Sequence, residues 1–144
     1  MSFIALDSLA EARLDEANQV ARLLRQVGSV ADIDEAERAQ KAVPAAFLSP
    51  LEDRPLRLSL DDEFVRDDLV YVRVIMLVSN RPADKKGGAL IAVRNFVGES
   101  LVGWTPPGCN EPLFWVGGGL LKVSGAALWW HDDFVMRRSV FIKD

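Results

Sequence analysis

The chain holds one histidine and one cysteine, and side-chain chemistry would have to begin with them. His131 stands beside Asp132 and Asp133, a grouping that on paper resembles a metal site or an acid–base pair. In an extended chain adjacent side chains point to opposite faces, so His131 and Asp133 share a side while Asp132 does not. A metal needs further ligands, and no second histidine or nearby cysteine supplies them. Cys109 lies in a Pro/Gly turn, where spacing allows a dyad with His131 but nothing nearby activates a thiol. Lys85 and Lys86 precede their glycines, so no phosphate loop is formed. Asp61, Asp62 and Glu63 fall in the most acidic stretch, but the regular spacing and central glycine of a calcium loop are missing. The inventory predicts no catalytic residue, no metal and no cofactor.

The four tryptophans, Trp104, Trp115, Trp129 and Trp130, all fall between Gly103 and Phe134. They could stack on bases or sugars, but no basic stripe is interleaved with them. Trp104 and Trp130 read as core residues. Trp129, on the polar parity of its strand, reads as an exposed aromatic anchor of the kind that dominates interfaces.

The elements that must position these residues begin with a helix expected from about Ile4 to Val27. Phe3, Leu6, Ala10, Leu14, Ala17, Ala21, Leu24 and Val27 draw one apolar stripe along it, and Gly28 is its expected stop. A short second helix follows, with Asp32 as N-cap and Glu35 three residues on, close to a capping box. Pro44 is expected to end it. Ala45–Leu48 is a short strand, and the Pro- and Asp-rich stretch after it reads as a solvated acidic loop, with an edge segment at Leu56–Leu60. Leu69–Ser79 is apolar on both faces and belongs in the middle of a sheet. Arg73 within it either has a buried partner or lies on the sheet's wet side.

Leu90–Trp104 resumes helical spacing, and Gly103 with Pro106, Pro107 and Gly108 stops it. Pro112–Val116 and Leu120–Ser124 are expected as two strands of a hairpin turning at Gly117-Gly118-Gly119. Gly125 turns the chain into a last strand, about Ala127–Ile142. Along that strand Leu128, Trp130, Phe134, Met136, Val140 and Ile142 alternate with Trp129, His131, Asp133, Arg137 and Ser139, one face core and one polar. A strand this long would either bend at a bulge or extend toward a neighbour. The fold class is α+β, a mixed or antiparallel sheet of four to five strands flanked by two longer helices, in a single domain over residues 1–144.

Composition sets the outer bounds. The chain has 144 residues, 49% hydrophobic and 26% charged, within the range of an ordinary globular domain. One cysteine allows no internal disulfide. No signal peptide or run of eighteen apolar residues is visible, so the expected compartment is the cytoplasm or a particle assembled there, without a membrane. The net charge of −4 hides an asymmetry: Met1–Asp68 carries fifteen acids against eight bases, Leu69–Asp144 six against nine. This reads either as two solvated faces or as complementary surfaces that bring copies together. Neither half is basic enough for nucleic-acid binding by itself.

The segment Leu101–Phe134 carries a family resemblance. Gly103, Trp104, Pro106 and Gly108 lead into Pro112, Leu113, Gly117–Gly119, Trp130 and Phe134. This ordered set resembles the tail terminator proteins of long-tailed phages, in particular a Mu-like prophage branch. The resemblance implies a subunit of a homo-hexameric ring at the head-proximal end of the tail tube. That ring would stop tube polymerisation, bind the tail tube protein on one side and neck or head–tail connector proteins on the other, and let DNA pass its lumen without specific binding. It implies no catalytic residue, and a place in the virion after assembly in the host cytoplasm. The interface candidates are Arg73, Lys85, Lys86, Trp129, His131, Asp133 and Arg137, with Asp61, Asp62 and Glu63 on the acidic side. The alternatives are another neck component, such as a tail-completion or head–tail joining protein, or a small ligand-binding or enzymatic domain using the Trp-rich segment.

Overall fold

The computed structural model of the chain describes residues 3–60, 64–80 and 88–142. It is an α+β fold in the order α1 (Leu6–Ala21), β1 (Gln26–Ser29), α2 (Ile33–Ala39), β2 (Ala45–Leu60), β3 (Phe64–Ser79), α3 (Gly88–Leu101), β4 (Leu113–Ser124) and β5 (Ala127–Ile142). The strands form one sheet in the order β1-β2-β3-β5-β4. Only β1 and β2 pair in parallel; every other neighbour is antiparallel. The apolar stretch Leu69–Ser79 lies in the central strand, as its two apolar faces require.

Each face of that sheet has its own core. On one side α1 and α3 cover Leu48, Val72, Val74, Met76, Phe134 and Met136, with Leu6, Ala10, Leu14, Val93, Val97 and Leu101 supplied by the helices. On the other side the short α2 seals a smaller cluster of Phe47, Ile75, Leu77 and Trp129. Asp32 caps α2 as its sequence implies. Its Oδ1 accepts from Glu35 N at 2.9 Å, while Glu35 Oε2 accepts from Ala31 N at 2.6 Å.

Several elements depart from the sequence expectations: α3 covers Gly88–Leu101 and stops short of Trp104, β3 begins at Phe64 and not at Leu69, and β1 lies where the first helix was expected to end. Four departures bear on the site. First, α1 ends at Ala21, not near Val27, because the Asn18 side chain captures the backbone that would have continued it. Asn18 Oδ1 accepts from Leu23 N and Leu24 N at 3.0 and 2.9 Å, and its Nδ2 donates to Leu24 O at 2.8 Å. Arg22 takes the left-handed cap position at φ 52°, and Gly28 is a strand residue paired with Phe47. Second, α2 stops at Ala39, with Gln40 extended as its C-cap, well before Pro44.

Third, the stretch after Leu48 is not a loop: β2 runs unbroken as a strand to Leu60. Its prolines are tolerated because β1 pairs only with Ala45–Leu48, which leaves the rest of β2 on an open edge where a missing N–H costs little. Register shifts follow at Pro50/Glu52 and Pro55/Arg57. Asp67 and Asp68, read as part of a solvated loop, are buried strand residues of β3.

Fourth, Gly117–Gly119 is not a turn. β4 passes straight through it, and the hairpin turns at Gly125, φ 58°. The three glycines are not equivalent: a Cβ at Gly117 would meet open space, one at Gly119 would lie 3.3 Å from His131 Nε2, and only at Gly118 does β5 leave no room. A Cβ at Gly118 would run into Asp132 Oδ1 and come within 2.8 Å of the His131 carbonyl. The last strand matches its expected bounds and pairs with β3 in unbroken register. Past Met136 it has left β4 behind, so β2, β3 and β5 continue as a three-stranded arm.

Candidate functional site

His131 and two of the four tryptophans lie on β5 with Asp132 and Asp133, and its alternation sends them to opposite faces. Asp132 points toward the α1/α3 layer and is only 3% exposed. Arg94 of α3 clamps it in a bidentate pair, Nε to Oδ2 at 2.9 Å and a second guanidinium nitrogen to Oδ1 at 3.1 Å. Two indoles donate to the same Oδ1, Trp115 Nε1 at 3.0 Å and Trp130 Nε1 at 3.3 Å. The Arg94 guanidinium also lies over the Trp130 ring, 4.8 Å from its centre. A buried carboxylate is tolerable only when paired and hydrogen-bonded, and here four donors meet that need. The network also fixes Trp115: its polar end is held inward, and its ring remains 52% exposed at the sheet margin.

The opposite face carries the grouping that the sequence singled out. Arg73 donates twice to Asp133, Nε to Oδ1 at 2.9 Å and a second nitrogen to Oδ2 at 3.1 Å. His131 Nδ1 is 3.0 Å from the same Oδ1. Burial alone would raise the Asp133 pKa, but hydrogen bonds and charge from Arg73 and His131 hold it below the ordinary carboxylate range. Arg73 therefore has a partner. Further along this face Arg137 reaches Asp67 Oδ2 at 3.2 Å, and Ser139 Oγ donates to Asp67 Oδ1 at 2.6 Å.

The structure brings Arg73, His131 and Asp133 together and places Arg137 on the same face of the same strand. It corrects Trp129: the ring is 4% exposed, packed in the core beneath α2, and is not an exposed anchor. The polar parity of β5 misled there because α2 dries one end of that face. Trp104 and Trp130 do pack against the larger core. Asp61, Asp62, Glu63, Lys85 and Lys86 lie outside the described residues. Cys109 packs against the α1/α3-side core, across the sheet from His131, so the two form no dyad. Burial pushes its thiol pKa up, against the opposing charge of Arg138. Among the described residues no three His, Cys, Asp or Glu side chains gather as a metal would require, and no helix is long and apolar enough to cross a membrane.

Sequence reasoning missed two features. One is the Asp132 centre, whose only signal in the sequence was a glycine run ahead of a strand with an aspartate beside two tryptophans; Gly118 alone faces Asp132. The other is the outer margin of β4. This strand ends the sheet, yet Phe114, Trp115, Val116, Leu120 and Val123 are all about half exposed on it. On the helix side Ile91 and Val102 extend the apolar surface of Trp115, Leu120 and Val123, across a groove of about 270 Å³ floored by Asp132 and Phe134, while Phe114, paired with Val135, belongs to the other face.

Fold and site together define a class: an α+β subunit with a mixed five-stranded sheet, its buried charges paired and an apolar margin left at one edge. The sequence supplies the particular family, since the family model described as phage tail terminator protein matches residues 1–140, and the chain belongs to that family. It is thus a structural component of a phage tail, and so of the virion. Among solved structures, a chain of the virion of a native gene transfer agent (GTA) particle is similar in fold. Its TM-score is 0.50 at 14% identity, over 90% of this chain and 94% of that one. No curated protein matches the chain.

Proposed function

We propose that this chain terminates the tail by assembly and not by catalysis. Folded as a single domain, six copies form a ring that caps the head-proximal end of the tail tube, stops its polymerisation and offers the neck or head–tail connector proteins a surface to bind. DNA passes through the lumen without a specific site, and assembly takes place in the host cytoplasm. The observation that carries this reading is family membership over residues 1–140. The apolar margin of β4 supports it, since a monomer that exposes so much contiguous apolar surface gains by covering it. The buried polar groups are consistent with a scaffold: Asp132, Asp133 and Asp67 are each tied to an arginine and poorly placed to exchange protons with a substrate.

Light scattering on the purified chain over a concentration series, with electron microscopy of the large species, tests the ring. A species of six times 15.9 kDa seen as a ring is the expected result. Adding the chain to polymerising tube protein should shorten the tubes and leave density at one end. Tubes of unchanged length and bare ends would refute termination. Duplex DNA bound below micromolar concentration at physiological salt, read by fluorescence anisotropy, would refute the passive lumen.

A further inference from the structure

We infer that the outer margin of β4, together with the groove between β4 and α3, is the seam at which a second copy of this chain docks; this rests on the ring reading above. The helix layer has two members, α1 and α3, over five strands, and β4 is left bare beside them. Trp115, Leu120 and Val123 share the uncovered face, opposite Phe134, Trp130 and Leu128 of β5. Ile91 and Val102 of the α3 side complete the patch across the groove. Half-exposed side chains of this size amount to on the order of 400 Å² of apolar surface. That is about half of the roughly 800 Å² each partner contributes to a stable interface.

The backbone argues the same way. Edge strands are normally blunted by charge, proline or a covering loop. β4 has no proline, and among the described residues no loop covers it past Leu113; its single charge, Lys122, is turned back to Glu37 of α2 at 3.0 Å, and register shifts at Trp115/Gly117 and Leu120/Lys122 are its remaining irregularities. Past Leu113, which bonds the turn at Gly103 and Trp104, its outer side meets no other strand of the sheet. The glycine triplet leaves that stretch without side chains to hold another backbone away.

The occupant is a second copy because one chain supplies both halves of the contact. β1 is the other end of the sheet, and tracing the pairings across the sheet shows that it runs antiparallel to β4. Two copies related by rotation present these unlike edges to each other, a head-to-tail contact that closes into a ring.

Leu120→Glu with Val123→Glu tests the seam, because both side chains are half exposed and outside both cores. The double variant should keep the wild-type circular dichroism and melt as a monomer, while its self-association weakens at least about 100-fold, since each glutamate would be buried unpaired. Three results overturn the inference. A variant that still assembles like wild type moves the seam elsewhere and leaves the ring intact. A photo-crosslinker at position 120 that captures tube or neck protein in assembled tails, and not a second copy, assigns the margin to that partner. A wild-type chain that stays monomeric at every concentration removes the self-complementary edge, and the ring reading is then judged separately from density at tube ends.

Discussion

Replacing Gly118 by alanine isolates the most constrained contact in the fold. Gly118 lies in β4 opposite Asp132, and its missing side chain leaves the space that the Asp132 carboxylate occupies. In most strands glycine to alanine is neutral or slightly stabilising, because glycine carries excess backbone freedom in the unfolded chain. Here the new methyl would meet Asp132 Oδ1 and lie 2.8 Å from the His131 carbonyl. Neither neighbour can yield cheaply. The carbonyl belongs to a strand held on both sides, and the carboxylate is pinned by Arg94 and two indoles. Overpacking a core costs about 1–3 kcal/mol, and displacing a buried paired carboxylate adds to that. We therefore expect a loss of about 3 kcal/mol, which for a chain of this size lowers the melting temperature by about 10 °C. Urea and thermal melts of wild type, Gly118→Ala, Asp132→Ala and the double variant measure it. Part of the alanine penalty should vanish when Asp132 is absent, a coupling of about 1–2 kcal/mol. A Gly118→Ala change below about 1 kcal/mol, or strict additivity in the cycle, would refute the close approach.

Further outcomes follow from the same geometry. Asn18→Ala removes the three bonds that end α1 and should cost about 1–2 kcal/mol in a urea melt; an unchanged midpoint would mean that the cap is not what stops the helix. Asp133 has its pKa held below the ordinary 3.8, so its pairing stabilises the fold above that value and is lost as pH falls through the lower, folded-state value. Wild type should therefore lose stability on acidification below about pH 4 more steeply than Asp133→Asn, and parallel acid limbs would contradict the assignment.

Much of the site was visible in the sequence as residue types, but not as geometry. His131 and Asp133 could be placed on one face because strand parity is a local property, and Arg73 could be flagged as needing a partner because a charge in an apolar strand always does. Which carboxylate it would meet depends on the register of β3 against β5, some 60 residues away in sequence, and no local rule sets that. Asp132 illustrates the limit more sharply. Parity separated it correctly from His131, yet its partners Arg94 and Trp115 come from α3 and β4, whose placement beside β5 is a matter of packing.

By itself the sequence determined the α+β class, the capped α2, the twofaced central strand and the alternation of β5, since periodicity, caps and turn residues act within a few positions. It also carried the family, through the Gly103–Phe134 order. Tertiary structure decided the rest. Pro50 and Pro55 look like breakers until β1 is seen to release that part of β2 to an open edge. Gly117–Gly119 looks like a turn until Gly118 is seen to leave its space to Asp132 and the His131 carbonyl. Trp129 looks exposed by parity until α2 covers it, and β4 looks ordinary until it is found last in the sheet. In each case the residue's meaning depends on what packs across from it, and burial is a property of the neighbour as much as of the residue.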